Sequence, residues 1–233
     1  MPRCAVVLLL AAALSPGVGW CQANWEGPTG AFLNPFAMVI PKGQVQACAH
    51  YLNLQPIGSL ATVGIVYGAA ERLEVGITNG DLAVGKSNAL WVAHAKYIIR
   101  PGQEPWPALA VGAIARDMPG GESTSDFYLA ASRVFPTKVP IIANLSVRNT
   151  NGLGNGLFGR NHERTTEFGG FLGVMATKQL CVGLDYYEQP EAGVWKGLCV
   201  RYYVTDDTNI DAGVADLGDA LDNQIAVAVT RRW

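Results

Sequence analysis

The sequence has few charged residues and, beyond its N-terminal segment, no long apolar run. Only 15% of its 233 residues are charged, although 49% are hydrophobic. A soluble domain usually carries about a quarter charged residues, so this chain is short of groups that keep a surface hydrated. A membrane-spanning helix needs about 18 to 20 consecutive apolar residues, and none follows the N-terminal segment. The composition therefore favours a membrane protein and argues against one built from helices.

An excess of basic charge is also missing. The formal net charge is -2 at pH 7, whereas nucleic-acid-binding domains normally carry a basic patch. The sequence contains no Cys-x-x-Cys pair, phosphate-binding loop or Gly-rich dinucleotide turn. The acidic residues Asp216, Asp219 and Asp222 lie close together but lack the ordered ligand spacing of a calcium loop. We therefore expect no nucleic-acid partner, no metal and no cofactor.

Residues 1–23 have the features of a secretory signal peptide: a positively charged start, an unbroken apolar core and small residues at the end. Cleavage after Ala23 fits best, with Gly19 as the alternative. Acylation of Cys21 would make the chain a lipoprotein, but Trp20 precedes it where the processing enzyme needs a small residue. The sequence thus predicts a chain that is exported across the inner membrane.

From Gln44 onward, apolar residues alternate with small or polar residues, and turns rich in Gly, Pro, Asn or Asp interrupt the pattern. In residues 73–78 and 141–148, for example, every second residue is apolar. This period of two indicates β-strands. About twelve such segments occur, near residues 44–53, 60–68, 73–79, 88–100, 107–116, 125–135, 140–149, 166–176, 179–188, 194–205, 208–215 and 223–233.

The connections between these segments alternate in length along the chain. Short ones are expected at 68–72, 136–139, 177–178 and 206–207. Long ones are expected at 80–87, 117–124, 150–165 and 216–222. If both termini lie in the periplasm, the short turns are periplasmic and the long loops external, which is typical of outer-membrane barrels. Only the connection 101–107 is long for a periplasmic turn. We predict an all-β fold, a transmembrane antiparallel up-and-down β-barrel of about 12 strands in the outer membrane.

A soluble sandwich or a lipocalin-like barrel would also alternate, but its polar face would point to water and be rich in Lys and Glu. Here the polar face consists mostly of Gly, Ala, Ser and Thr, which suits a narrow lumen. The expected organisation is a signal peptide at 1–23, an N-terminal periplasmic or lumen-plugging segment at 24–43 and the barrel at 44–233. The prolines and glycines of residues 25–41 argue against a strand there.

The last strand carries a pattern of its own. Trp233 is preceded at every second place by Arg231, Val229, Val227 and Ile225. Apart from Arg231, this resembles the C-terminal strand by which the barrel-assembly machinery recognises Gram-negative outer-membrane proteins. The resemblance implies that Ile225, Val227, Val229 and Trp233 form the membrane-assembly signal, with outer-membrane lipid and the assembly machinery as partners.

The stretch from Gly27 to Pro35, GPTGAFLNP, continues through Ala37 to the sequence PKGQ at residues 41–44. It resembles the opening of YjbH-type outer-membrane barrels, which are often linked to exopolysaccharide export. The resemblance implies an outer-membrane barrel with a role in the export of envelope polysaccharide.

Polar and charged residues on the face opposite the apolar one are expected to line the lumen. A Lys or Arg that faces lipid at mid-depth costs about 2 to 4 kcal/mol, which favours the inward assignment. The candidates are His50, Glu74, His94, Lys96, Arg100, Asn144, Arg148, Asp185, Arg201, Asp211 and Arg232. Paired charges would close the lumen, whereas hydrated charges would open a path. The sequence therefore allows a narrow pore for small polar solutes or envelope polysaccharide, or a sealed structural or binding barrel whose loops 150–165 or 216–222 meet a partner.

A hydrolase is a further alternative. Outer-membrane phospholipase A is a twelve-strand barrel that carries a His-x-Ser-Asn-Gly stretch. Neither His50 nor His94 is followed two places later by Ser. Distant strands could still assemble a triad, but we expect no catalytic residues.

Two cysteines lie on segments that should form a hairpin around Pro190. If the turn is centred there, Cys181 and Cys199 are directly opposite, within the range of a disulfide. An oxidising compartment favours such a bond. A slip of one residue would turn the two thiols away from each other, and a buried cysteine also serves as a small apolar residue. The sequence therefore allows a Cys181 to Cys199 disulfide, with Cys48 unpaired.

Overall fold

A computed structural model describes residues 24–31, 33–54, 58–84, 86–118, 122–152, 160–189, 193–216 and 224–233. The predicted signal peptide lies outside these residues. No helix among them is long and apolar enough to cross a membrane.

The described residues form twelve β-strands. They are β1 (Val45–Leu54), β2 (Gly58–Ala70), β3 (Leu73–Val84), β4 (Lys86–Arg100), β5 (Ala108–Met118), β6 (Glu122–Phe135), β7 (Ile141–Gly152), β8 (Arg160–Met175), β9 (Leu180–Gln189), β10 (Gly193–Tyr203), β11 (Thr208–Asp216) and β12 (Gln224–Arg232). Each strand pairs antiparallel with its neighbours in sequence, and β1 pairs with β12 to close the barrel. The predicted fold class is confirmed.

The barrel is apolar outside and polar inside. On β7 and β9, Leu145 and Leu184 are 71% and 61% exposed on the outer face. On β3 and β4, the inward Glu74 and Lys96 are almost completely buried. This is the reverse of a soluble barrel, whose outer face is rich in charge.

The prediction of long loops at 80–87 and 117–124 is wrong. β3 continues to Val84 and β4 begins at Lys86, while β5 continues to Met118 and β6 begins at Glu122. Their Gly, Asp, Asn and Ser residues indicated turns, but the strands continue to pair through them. The connections therefore do not show the predicted alternation of length.

The barrel end that carries Val45 and Trp233 is called the terminal end, and the opposite end is called the distal end.

The hairpin register expected for β9 and β10 is also wrong. Cys199 pairs with Gly183 and Cys181 pairs with Arg201, a shift of two residues from the expected pairing. The numbers of paired residues sum to 382 rather than 380, so the hairpin is not centred on Pro190. The strand β10 starts at Gly193, whose φ of 79° is one that glycine adopts readily. Diagonal neighbours of this kind have Cα atoms about 7–8 Å apart, too far for an unstrained disulfide. Both thiols are free in this structure, as is Cys48.

Candidate functional site

The lumen contains the chain's own N-terminal segment. Residues 24–31 and 33–40, here called the plug, are almost entirely buried. The plug joins the barrel wall at the terminal end, where the amide of Gly43 donates to the carbonyl of Gly68 at 2.8 Å. Inside, it turns back on itself, because Gly30 and Pro35 form an antiparallel bridge and Phe36 N donates to Thr29 O at 3.0 Å.

Glu74 of β3 holds the plug at two points. Its carboxylate accepts hydrogen bonds from the amides of Thr29 at 3.0 Å and Ile40 at 3.2 Å. Lys96 Nζ lies 2.9 Å from Glu74 Oε1 and also donates to the carbonyl of Thr29 at 2.8 Å. The charge pair on the wall is thus satisfied jointly with the plug backbone.

Asp185 of β9 makes a second attachment. It accepts from Leu33 N at 2.7 Å and from Asn34 Nδ2 at 2.5 Å. The side-chain oxygen of Asn34, Oδ1, accepts a hydrogen bond from Ser146 Oγ at 2.8 Å. Further along the plug, Ala37 N donates to Ser132 Oγ at 2.7 Å. Five wall strands, β3, β4, β6, β7 and β9, therefore hold the plug by polar contacts.

Towards the distal end, Glu26 of the plug meets two arginines of the wall. Arg116 Nε donates to Glu26 Oε1 at 2.8 Å, and Arg148 Nη1 donates to Glu26 Oε2 at 3.0 Å. Asp126 of β6 pairs with both arginines, at 2.5 Å from Arg116 Nη2 and 2.9 Å from Arg148 Nη1. All four side chains are almost fully buried. Buried charges are tolerated where they are paired in this way.

Apolar plug residues fill the remaining space. Trp25, Leu33 and Ala37 belong to a cluster that includes wall residues such as Leu60 and Trp195. A second cluster joins plug residues Ala31 and Phe36 to the wall, and the Phe36 ring centroid lies 5.2 Å from that of Phe171. In this conformation the plug fills the barrel.

The structure brings about half of the expected lumen residues into contact with the plug, and it shows wall contacts for others. Those with plug contacts include Glu74, Lys96, Arg148, Asp185 and Arg201, which donates to Gly30 O at 3.4 Å. His94 is 5% exposed and lies beside Gly27 of the plug, where a Cβ on that glycine would meet its ring. Asn144 accepts a hydrogen bond from the hydroxyl of Ser132 on the wall at 2.7 Å. Wall contacts account for His50 with Thr62, Arg100 with Pro107 O, Asp211 with Arg201, and Arg232 with Asp207.

Sequence reasoning missed Glu26, Arg116 and Asp126. Arg116 and Asp126 occupy inward positions of the alternation on β5 and β6, which could have identified them. Glu26 lies on no strand, so the period of two says nothing about its direction.

The C-terminal residues face outward as a group. Ile225, Val227 and Trp233 are 57%, 45% and 49% exposed. Arg231 is buried instead, and its guanidinium lies 5.5 Å from the centroid of the Trp233 ring. No group of three or more His, Cys, Asp or Glu residues that could hold a metal occurs in the described part of the chain.

These features define a closed twelve-strand β-barrel of the outer-membrane porin type. The structural match to the KdgM porin covers 80% of this chain and 98% of that protein, with a TM-score of 0.63 and 12% sequence identity. Against the NanC porin the TM-score is 0.57 at 11% identity, covering 80% of this chain and 98% of that one. The COG4313 outer membrane channel from Pseudomonas putida F1 gives 0.50 at 9% identity, covering 84% of this chain and 97% of that one. At these identities the likeness shows the fold.

The family described as "Protein of unknown function (DUF3034)" matches residues 107–229, more than half of the sequence, and the chain belongs to this family. No curated protein matches the chain.

Proposed function

We propose that this protein is an outer-membrane pore for small polar solutes, which the plug closes in the conformation described here. The observation that carries the proposal is the polar character of the plug's attachments. Glu74, Asp185 and Ser132 bind plug amides that water or a solute could replace. A wall lined with such groups stays hydrated when the plug withdraws, and so provides a path for polar molecules.

The membrane location is part of the same proposal. The apolar outer face supports burial in outer-membrane lipid, and the outward residues Ile225, Val227, Val229 and Trp233 support delivery by the barrel-assembly machinery. The predicted signal peptide at 1–23 would take the chain across the inner membrane, and both termini would lie in the periplasm.

Oligosaccharides are one solute class to test. The KdgM porin is known in complex with disordered oligogalacturonate, at a TM-score of 0.61 and 11% identity to this chain. The resemblance of residues 27–44 to YjbH-type barrels adds envelope polysaccharide as a candidate. No catalytic role is proposed.

A sealed structural barrel is the second candidate. It is favoured by the apolar packing of Trp25, Leu33 and Phe36, which resembles a permanent core. The two functions differ in whether the plug ever leaves the lumen.

A crosslink between plug and wall separates them. Ala37 N lies 2.7 Å from Ser132 Oγ, so the double variant Ala37→Cys, Ser132→Cys should be joined by a disulfide or a short thiol crosslinker. The native cysteines are replaced by alanine in this background. The single variant Ser132→Cys is the matched control.

The measurement is single-channel conductance of the refolded full chain in planar bilayers. We expect conductance steps from the control and from the reduced double variant, and loss of these steps when the double variant is crosslinked. Silence of all three folded proteins would favour the sealed barrel. Unchanged conductance after complete crosslinking would show that the plug does not close the pore.

A further inference from the structure

The contact between Glu26 and the two arginines has the form of a ligand site. Oε1 of Glu26 accepts from Arg116 Nε at 2.8 Å and also from Arg116 Nη2, while Oε2 accepts from Arg148 Nη1 at 3.0 Å. Each oxygen of one carboxylate therefore has its own guanidinium. Arginine is suited to this recognition because its planar N–H groups match the geometry of a carboxylate.

The wall holds both arginines in place without help from the plug. Asp126 accepts from Arg116 Nη1 at 2.9 Å and from Arg148 Nη1 at 2.9 Å, and it also accepts from the hydroxyl of Thr150. The guanidinium of Arg148 lies 5.2 Å from the centroid of the Tyr187 ring. These contacts fix the direction of the arginine N–H groups whether or not Glu26 is present.

The other acidic residue beside Arg148, Glu167, has a hydrogen-bond partner of its own on the wall. Glu167 lies opposite Arg148 in the register of β7 and β8 and accepts from the hydroxyl of Tyr187. Arg116 makes two hydrogen bonds to the plug, and both run from its Nε and Nη2 to Glu26. When the plug withdraws, Arg116 Nε loses the carboxylate it binds, while Arg116 Nη2 and Arg148 Nη1 are left with Asp126 as their shared acceptor. One carboxylate then serves two buried guanidinium groups, and incompletely satisfied buried charged donors are costly.

The geometry points to a carboxylate-binding site on the barrel wall, formed by Arg116 and Arg148, that Glu26 occupies while the plug is in place and that a carboxylate-bearing solute occupies when it leaves. The inference rests on the proposed pore function and names the solute class: small organic acids and acidic sugars. A neutral solute has no charged acceptor to offer the two guanidinium groups.

Chemical rescue tests the site without requiring conduction. In the full chain, Glu26→Ala removes the carboxylate and leaves room beside the arginines. Acetate should occupy this space and raise the midpoint of thermal unfolding. The measurement is the heat-modifiable migration of the protein on gels. When the acetate concentration is about ten times its dissociation constant, one-site linkage raises this midpoint by about 3–6 °C for a chain of this size. Acetamide, which has the same shape without the charge, should give no increase.

Glu26→Gln is the matched control, because its amide fills the space and acetate should not raise its midpoint. If Glu26→Ala folds poorly, the yield of folded protein refolded in acetate against acetamide makes the same comparison. An effect of acetate that is equal in Glu26→Ala, Glu26→Gln and the natural sequence would overturn the site.

Conductance of Glu26→Ala separates the site from the pore. We expect galacturonate, but not galactose, to reduce the open-channel current, and the added substitution Arg148→Lys to weaken this block about tenfold or more. Block that is equal for the two sugars would overturn the solute class. Rescue by acetate in a barrel that never conducts would support the site and contradict the pore function.

Discussion

At the scale of single residues, one glycine of the wall makes room for the plug. A Cβ on Gly169 would lie 1.8 Å from Asn34 Oδ1 and 2.7 Å from Ser146 Oγ. The next residue, Gly170, faces the other way, and a Cβ there would be 3.5 Å from its nearest neighbours, an ordinary contact. The pair thus offers a substitution that affects the plug and a control that does not.

We predict that Gly169→Ala opens the pore. The methyl group overlaps Asn34, whose side chain binds Asp185, Gly170 O and Tyr186 O. Since each lost hydrogen bond is worth about 0.5–1.5 kcal/mol, the open probability should rise about tenfold. Single-channel recording gives the measurement, and Gly170→Ala should behave like the natural sequence. Equal open probabilities for the two variants, both folded, would contradict the role of Gly169.

The inward direction of Glu74, Lys96 and Asp185 could be read from the sequence because strands alternate strictly. Their partners could not. Glu74 binds Thr29 and Asp185 binds Leu33, contacts that span 45 and 152 residues of sequence. Nothing in the local pattern around the plug indicates which wall residue will meet it.

At the scale of elements, the β9–β10 hairpin shows what local pattern leaves undetermined. The two strands were visible from alternation, but their register depends on how the turn is built, and a shift of two residues keeps every side chain on its expected face. Apolar patterning therefore cannot distinguish the observed pairing from the expected one.

An outward-facing pair tests this register. Leu184 pairs directly with Leu198, whereas Lys196 pairs with Tyr186. We predict that the double variant Leu184→Cys, Leu198→Cys forms a disulfide under mild oxidation in a cysteine-free background, because directly opposite residues are close enough. The variant Leu184→Cys, Lys196→Cys is the control and should remain reduced. Mass spectrometry of non-reduced digests measures both, and the opposite result would restore the register centred on Pro190.

The strand β12 has two roles at the seam of the barrel. Trp233 N donates to Val45 O at 2.8 Å, and Val45 N donates to Trp233 O at 2.9 Å, so the last residue joins the first strand. Its side chain is exposed on the outer face. The backbone contacts close the barrel, which leaves the indole ring available for recognition during assembly.

We predict that Trp233→Ala lowers the amount of barrel in the outer membrane of expressing cells, while the purified variant still refolds in detergent. The substitution keeps the backbone bonds and removes only the ring. Trp106→Ala, a change of another outward tryptophan at the terminal end, is the control and should leave the level unaltered. Equal membrane levels of the two variants would contradict a role of Trp233 in the assembly signal.

At the scale of the whole molecule, aromatic side chains lie towards both ends of an apolar outer band. The band includes Val63, Ile77, Leu129, Leu172 and Val214, each exposed on the outer face. Aromatic residues at the terminal end are Tyr67, Tyr97, Tyr202 and Trp233, and those nearer the distal end are Tyr51, Trp91, Phe168 and Tyr186. Aromatic girdles of this kind mark the two interfaces of a membrane barrel.

Tryptophan fluorescence tests this placement in lipid. Trp91, Trp106 and Trp233 are 48%, 61% and 49% exposed, whereas Trp25 and Trp195 are each 1% exposed inside the barrel. We predict that lipids brominated near the headgroup quench the fluorescence more strongly than lipids brominated deep in the acyl chain, because amphipathic rings favour the interface.

The triple variant Trp91→Phe, Trp106→Phe, Trp233→Phe is the control. It keeps only the two inner tryptophans of the described residues, and the barrel wall and plug separate these from lipid. Its quenching should therefore be weak and nearly independent of bromine depth. Stronger quenching by the deep bromines in the natural sequence would place the outer tryptophans away from the interface, and strong quenching of the triple variant would contradict burial of Trp25 and Trp195.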